Sequence, residues 1–154
     1  MTPDWAPNLH PLVIHFPVAL LLAAVATDWF DLVAGGPAWL APMAVTTYGG
    51  AGLGAAVAYW TGSVAADTVF IPGMAHPFIE EHGSWALAAT LAIVALALVR
   101  GAIHLLRTSR PTLRWVTAIA ALGVVVLVQQ TAERGGRLVY EHGVGVIAAP
   151  PQSR

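Results

Sequence analysis

Six histidines stand beside seven basic residues, every one of them arginine, so imidazole carries much of the polar chemistry of this 154-residue chain. Two of the six fall in Asn8-Leu9-His10-Pro11-Leu12-Val13-Ile14-His15-Phe16-Pro17-Val18-Ala19-Leu20, at the mouth of an apolar run that reaches Asp28. An imidazole one turn inside an apolar segment is costly unless something engages it, and ionisable groups inside membranes mark function by default. His15 is the deepest of the set, and His82 immediately precedes another apolar run. In an up-and-down bundle the two sit at similar depth. Facing imidazoles with glycines on a neighbouring helix are what a b-type haem requires, because iron takes two axial nitrogens and the porphyrin needs backbone close by. The plainer roles are a hydrogen bond from His15 to the carbonyl freed by Pro17, and a solvated helix start for His82.

Around this pair lie further candidates. His10 is a partner behind a ligand, an alternative ligand, or an interfacial residue beside Pro11. The five-residue step to His15 puts the two on different helix faces, which disfavours joint chelation of one ion. His142, in Tyr140-Glu141-His142-Gly143, either closes the mouth of the site or belongs to a capping hairpin. Arg134 and Arg137 suit the propionates. Gly50 and Gly54 form a G-x-x-x-G pair that admits a second helix or a flat ligand. His76 reads as loop, and His104 as snorkelling to the opposite interface. A copper, zinc or di-iron site from these histidines with Glu80, Glu81 and Glu141 is a weaker reading, since no H-x-x-x-H or E-x-x-H spacing is present. Proton transport is weaker still, for lack of acids deep in several helices.

The elements that must position these groups follow from composition. The chain is 57% hydrophobic and 10% charged, with mean hydropathy +0.70, against about 25% charged in soluble domains. An all-α integral membrane four-helix bundle is the expected fold, as one domain over 1–154. Helices are expected at about 12–30, 39–60, 84–106 and 113–132, each near the roughly 20 residues of a membrane span. An extramembrane loop is expected over 61–83, and a semi-extended capping tail over 133–154. Ala34-Gly35-Gly36-Pro37 and Thr108-Ser109-Arg110-Pro111 read as turns. Met1 to Leu9 lacks the basic start of a secretory signal peptide, and no internal repeat is evident. The absence of cysteine excludes disulfides, iron–sulfur clusters, thiolate zinc and c-type haem attachment. A net charge of −1 argues against nucleic acid as a partner.

Four spans put both termini, five histidines and six of the eight acids on one side. Arg100, Arg107, Arg110 and Arg114 surround the opposite, short connection, which marks that side cytoplasmic. The histidine side is therefore expected to face the periplasm of a bacterial inner membrane.

The opening from Asn8 to Leu20, and the tail Gly135-Gly136-Arg137-Leu138-Val139-Tyr140-Glu141-His142-Gly143-Val144-Gly145-Val146, resemble the bacterial membrane proteins of the domain of unknown function 2231. The similarity spans nearly the whole chain, and H-P-x-x-x-H-F-P is its most specific part. The family's histidine at the start of the third helix matches His82. The resemblance implies a four-helix membrane module, in some proteins joined to Rieske or cytochrome domains, and it supplies no established reaction.

Together these readings lead to a haem-b electron carrier, non-catalytic in itself, with His15 and His82 as axial ligands. Electrons would pass between the membrane, through quinone or a neighbouring subunit, and a periplasmic redox protein. The competing readings are a cofactor-free accessory subunit of a larger respiratory complex and, third, a histidine-rich metal-binding module. Self-association is compatible with each.

Overall fold

The computed structural model describes residues 8–107 and 110–146. The elements are α1 (His10–Val13), α2 (His15–Ala34), α3 (Leu40–Thr68), a 3-10 turn (Gly73–Ala75), α4 (His76–Leu105) and α5 (Pro111–Tyr140). Helices α1 and α2 form one rod. Ile14 between them keeps right-handed helical angles, and the interruption falls where Pro17 offers no N–H to the Val13 carbonyl. Gly35 ends α2 with φ +58°, the left-handed cap that glycine adopts without strain.

Successive helices pack as neighbours and α2 also meets α5, which closes an all-α, four-helix ring. Its centre is made of Leu21, Ala24, Tyr48, Ala51, Ala55, Ile93, Leu96 and Ala121. Alanine and glycine bring the backbones close, as they must where lipid supplies no hydrophobic drive between helices. Large side chains such as Phe16, Leu53, Trp60, Leu91, Leu98 and Val126 point outward, where acyl chains would solvate them.

Three helical segments, His10–Ala34, Gly73–Leu105 and Pro111–Tyr140, are long and apolar enough to cross a membrane. The remaining helix, α3, is built largely of Ala, Gly and Thr. It is wedged between α2 and α4, with Gly54 against Pro17 and Gly52 against Ala97 and Val94.

The helices outrun their sequence-based limits. The expected loop over 61–83 shrinks, because α3 continues to Thr68 and α4 already begins at His76. The expected semi-extended tail is helical to Tyr140. Helices of 29 and 30 residues span about 44 Å, longer than the roughly 30 Å of hydrocarbon. Their polar ends lower hydropathy without breaking helicity. Gly135 and Gly136 do not interrupt α5, where Arg137 bridges Glu133 at 2.6 Å one turn before and approaches Glu141 one turn after. Beyond α5 a short segment does cap the bundle: the Gly145 N–H donates to the Phe70 carbonyl (3.0 Å), and Gly143 and Gly145 both take positive φ. The expected turn residues Thr108 and Ser109, the chain before Asn8 and the chain after Val146 lie outside the described residues.

Candidate functional site

Two histidines line the same end of the bundle, each seated on the neighbouring helix of its own hairpin. His10 opens α1 and lies on α3, where its Nδ1–H donates to the Ala58 carbonyl at 2.9 Å. Its ring lies over Gly62: a Cβ there would come within 3.0 Å of His10 Cε1. His82, in the second turn of α4, makes the matching approach to α5. A Cβ on Gly135 would come within 3.0 Å of His82 Cε1, and the Thr131 backbone faces the ring. In both cases the imidazole presses on a glycine and is turned toward the backbone four residues earlier. His82 Nδ1 is buried without a partner of normal hydrogen-bond geometry.

The opposite end of the bundle carries a buried ion pair. Asp28 of α2 and Arg100 of α4 form an ion pair through the bundle interior, 0% and 4% exposed. Thr117 Oγ1 accepts from Arg100 Nη1 at 3.3 Å, and the fully buried Tyr48 packs beside the pair. Nearby, Arg114 joins Asp31 at 2.5 Å. Eighteen residues separate His10 from Asp28, and eighteen separate His82 from Arg100. That interval is about five whole turns, or about 27 Å, so each histidine lies on the same helix face as its charged residue. Helices α2 and α4 run parallel, being successive-but-one in an up-and-down bundle. Since Asp28 meets Arg100, this register sets His10 and His82 toward each other at the same height.

The other candidates fall elsewhere. His15 is exposed on the outside of α2, away from the face that carries His10. Gly50 and Gly54 are pressed by Leu20 and Pro17, so their close approach serves helix α2. His142 stacks on Phe78, with centroids 4.1 Å apart. With Glu81, Arg134, Arg137 and Glu141 these two line a shallow polar cavity of about 200 Å³. Arg134 is held by Glu81 at 2.8 Å and lies 3.9 Å over the Trp85 ring, while Arg137 is engaged by Glu133. His76 and His104 are exposed. Among the described residues, no three His, Asp or Glu side chains gather as a metal-ligand group.

A family model described as "Predicted membrane protein (DUF2231)" matches residues 6–148. The chain belongs to this family. The match runs through α1 to the capping segment and so includes both histidines, both glycines beneath them and the Asp28–Arg100 pair. It bears out the family resemblance carried by the opening and tail motifs, and the family's description goes no further than a membrane protein. No curated protein and no solved structure matches the chain.

Sequence reasoning singled out His10 and His82 but preferred His15 to His10, taking depth in the apolar run as the measure. It also took Asp28 as a helix-closing residue and missed its union with Arg100. The shared interval of eighteen residues was visible in the sequence, but it carries meaning only once α2 and α4 are known to face each other across the bundle.

Proposed function

We propose that this protein is a membrane electron carrier that holds one haem b between His10 and His82. The observation that carries the reading is the paired seating of the two imidazoles. His10 turns Nδ1 toward the Ala58 carbonyl, which leaves its Nε2 free for iron, and the His82 ring keeps a buried Nδ1 with no hydrogen-bond partner. Metal-ligating histidines characteristically donate their other N–H to a carbonyl or carboxylate, which fixes ring orientation and raises basicity. His10 already makes that bond to Ala58. Two neutral imidazoles from opposite helices fit a six-coordinate haem iron, and a haem so held supplies reversible one-electron transfer. His15 has no part in this site. The exposed face of α2 gives it no imidazole to oppose.

The protein's own residues tune that site. Burial of the two rings and the arginines at the same end favour different charge states of a bound redox group. Arg134 and Arg137, now engaged by Glu81 and Glu133, are the cations nearest to hand for carboxylates at that surface. Arg100, Arg107, Arg110 and Arg114 gather at the other end, which supports a cytoplasmic location for it and a periplasmic one for the histidines in a bacterial inner membrane. Quinone, a periplasmic redox protein or a respiratory complex are the partners this placement suits.

A second reading has one observation in its favour: His10 is satisfied by Ala58 and the glycines are filled by the imidazoles themselves. On that reading the histidines clamp hairpins together in a cofactor-free accessory subunit. A dithionite-reduced minus oxidised absorbance spectrum of detergent-purified protein, expressed with ample haem, separates the two. A sharp α band with a shifted Soret band, at one haem per chain, is the expected result. Colourless, folded protein overturns the haem reading and leaves the clamp.

A further inference from the structure

The four helices carry a correspondence that the sequence does not display as a repeat. His10 and His82 each precede, by eighteen residues, one member of the buried ion pair. His10 lies on Ala58 and Gly62 of α3, and His82 on Thr131 and Gly135 of α5, again four residues apart in both. From each histidine to its backbone partner the chain runs 48 residues in one half and 49 in the other. The hairpin of α1, α2 and α3 therefore maps onto the hairpin of α4 and α5, by a two-fold axis along the bundle. Both the histidine pair and the Asp28–Arg100 pair straddle that axis. Beyond His10 with His82 and Gly62 with Gly135 the equivalent side chains differ, Asp against Arg and Ala against Thr, so residue identity does not reveal the repeat.

Membrane helices of this kind gain little from hydrophobic association, so their relative rotation must be set by specific contacts. We infer that Asp28 and Arg100 are a positioning pair: their union across the pseudo-two-fold axis, about five turns below the histidines, fixes the rotation of α1/α2 against α4 and so makes His10 face His82. A rotation of either helix about its long axis would part the ions and turn the imidazole on the same face away together. An ion pair lying on such an axis has a further property. Because the two positions are near-equivalent, the charges can be exchanged and the geometry kept.

The inference rests on the proposed function only for what the histidines hold; their facing is measured without it. The chain has no cysteine, so His10→Cys/His82→Cys in the full-length protein in native membranes reports the facing through cross-linking with a short bismaleimide. Leu20→Cys/Gly50→Cys, within the first hairpin, reports folding. Efficient cross-linking at both pairs is expected with Asp28 and Arg100 intact. In Asp28→Asn the 10–82 cross-link should fall several-fold while the 20–50 cross-link persists. The exchange Asp28→Arg/Arg100→Asp should restore it. An undiminished 10–82 cross-link in Asp28→Asn overturns the inference. Should Asp28→Asn fail to fold, the exchange decides: it must keep both cross-links, and loss of the 10–82 cross-link there overturns the inference. Haem content is read separately, on the exchanged variant with its native histidines. Cross-links that respond as expected in a protein that binds no haem sink the haem reading alone, and bound haem with unresponsive cross-links sinks the positioning pair alone.

Discussion

A histidine near a membrane surface can be satisfied by its own hairpin, and the glycines beneath His10 and His82 are what make that contact close. Alanine at Gly62 or Gly135 would put a methyl carbon 3.0 Å from a ring carbon. Such overpacking costs typically about 1–3 kcal/mol, so both variants should lower the unfolding midpoint in mild detergent and weaken retention of the proposed haem. Gly123, in mid α5, is the control, because a methyl carbon there would have nothing within 4 Å. At that position alanine should be neutral or stabilising by up to about 1 kcal/mol through helix propensity, and a loss comparable to that of Gly135→Ala would contradict the proposed packing. The buried ion pair gives a second test at this scale. Leu in place of Asp28 or Arg100 alone leaves an uncompensated buried charge, at about 3–5 kcal/mol, whereas replacing both with Leu removes the charge problem and recovers most of that loss. Thermal unfolding of the two single variants and the double should show this strong non-additivity, and additive losses would contradict a direct pair. At the residue scale the sequence displayed the residue types, since His10, Asp28 and Arg100 border or interrupt apolar runs and His82 immediately precedes one. It did not display which of them share a face with a partner helix, and depth alone favoured His15.

Helix number and order were legible from hydropathy, and the α2–α3 turn from Gly35 and Pro37. Helix ends were not. Hydropathy reports the thickness of the apolar zone, while backbone hydrogen bonding continues past it, so Asp67, Glu80, Glu81 and Glu133 sit on helix rather than in loops. Backbone chemical shifts or amide exchange in detergent should therefore find residues 76–83 and 133–140 helical and protected, and rapid exchange through both would restore the shorter helices. The G-x-x-x-G pair in α3 was legible as a site of close approach, though not its occupant. Gly54 meets Pro17, and a Cβ on this glycine would lie 3.3 Å from the proline ring. Gly54→Val should part α2 from α3 and lower the unfolding midpoint, whereas Gly49→Ala, in open space on the same helix, should not.

On the scale of the whole molecule the bundle carries two diagonal pairs about 27 Å apart, the proposed pair of imidazoles at one end and a buried ion pair at the other. That separation approaches the thickness of the hydrocarbon layer, so one pair belongs near each membrane face. The proposed orientation puts the histidines on the side opposite the arginine cluster, the periplasmic one. Met74→Cys, 89% exposed at the histidine end, should react with an impermeant maleimide in intact cells, while Arg107→Cys should react only after permeabilisation; the reverse pattern would invert the topology. The bundle architecture was legible from composition and spacing, but its diagonal pairing was not, because it depends on which helices face each other across the centre.

The most direct test of the proposed bis-histidine haem site is low-temperature electron paramagnetic resonance of the oxidised, purified protein and its histidine variants. A low-spin ferric signal of bis-imidazole type is expected in the parent protein and in His15→Ala, replaced in His10→Ala and His82→Ala by a high-spin signal or by loss of haem. Absence of ferric haem from the parent, or loss of the low-spin signal in His15→Ala with its survival in His10→Ala, would contradict the assignment of His10 and His82 as the facing ligands.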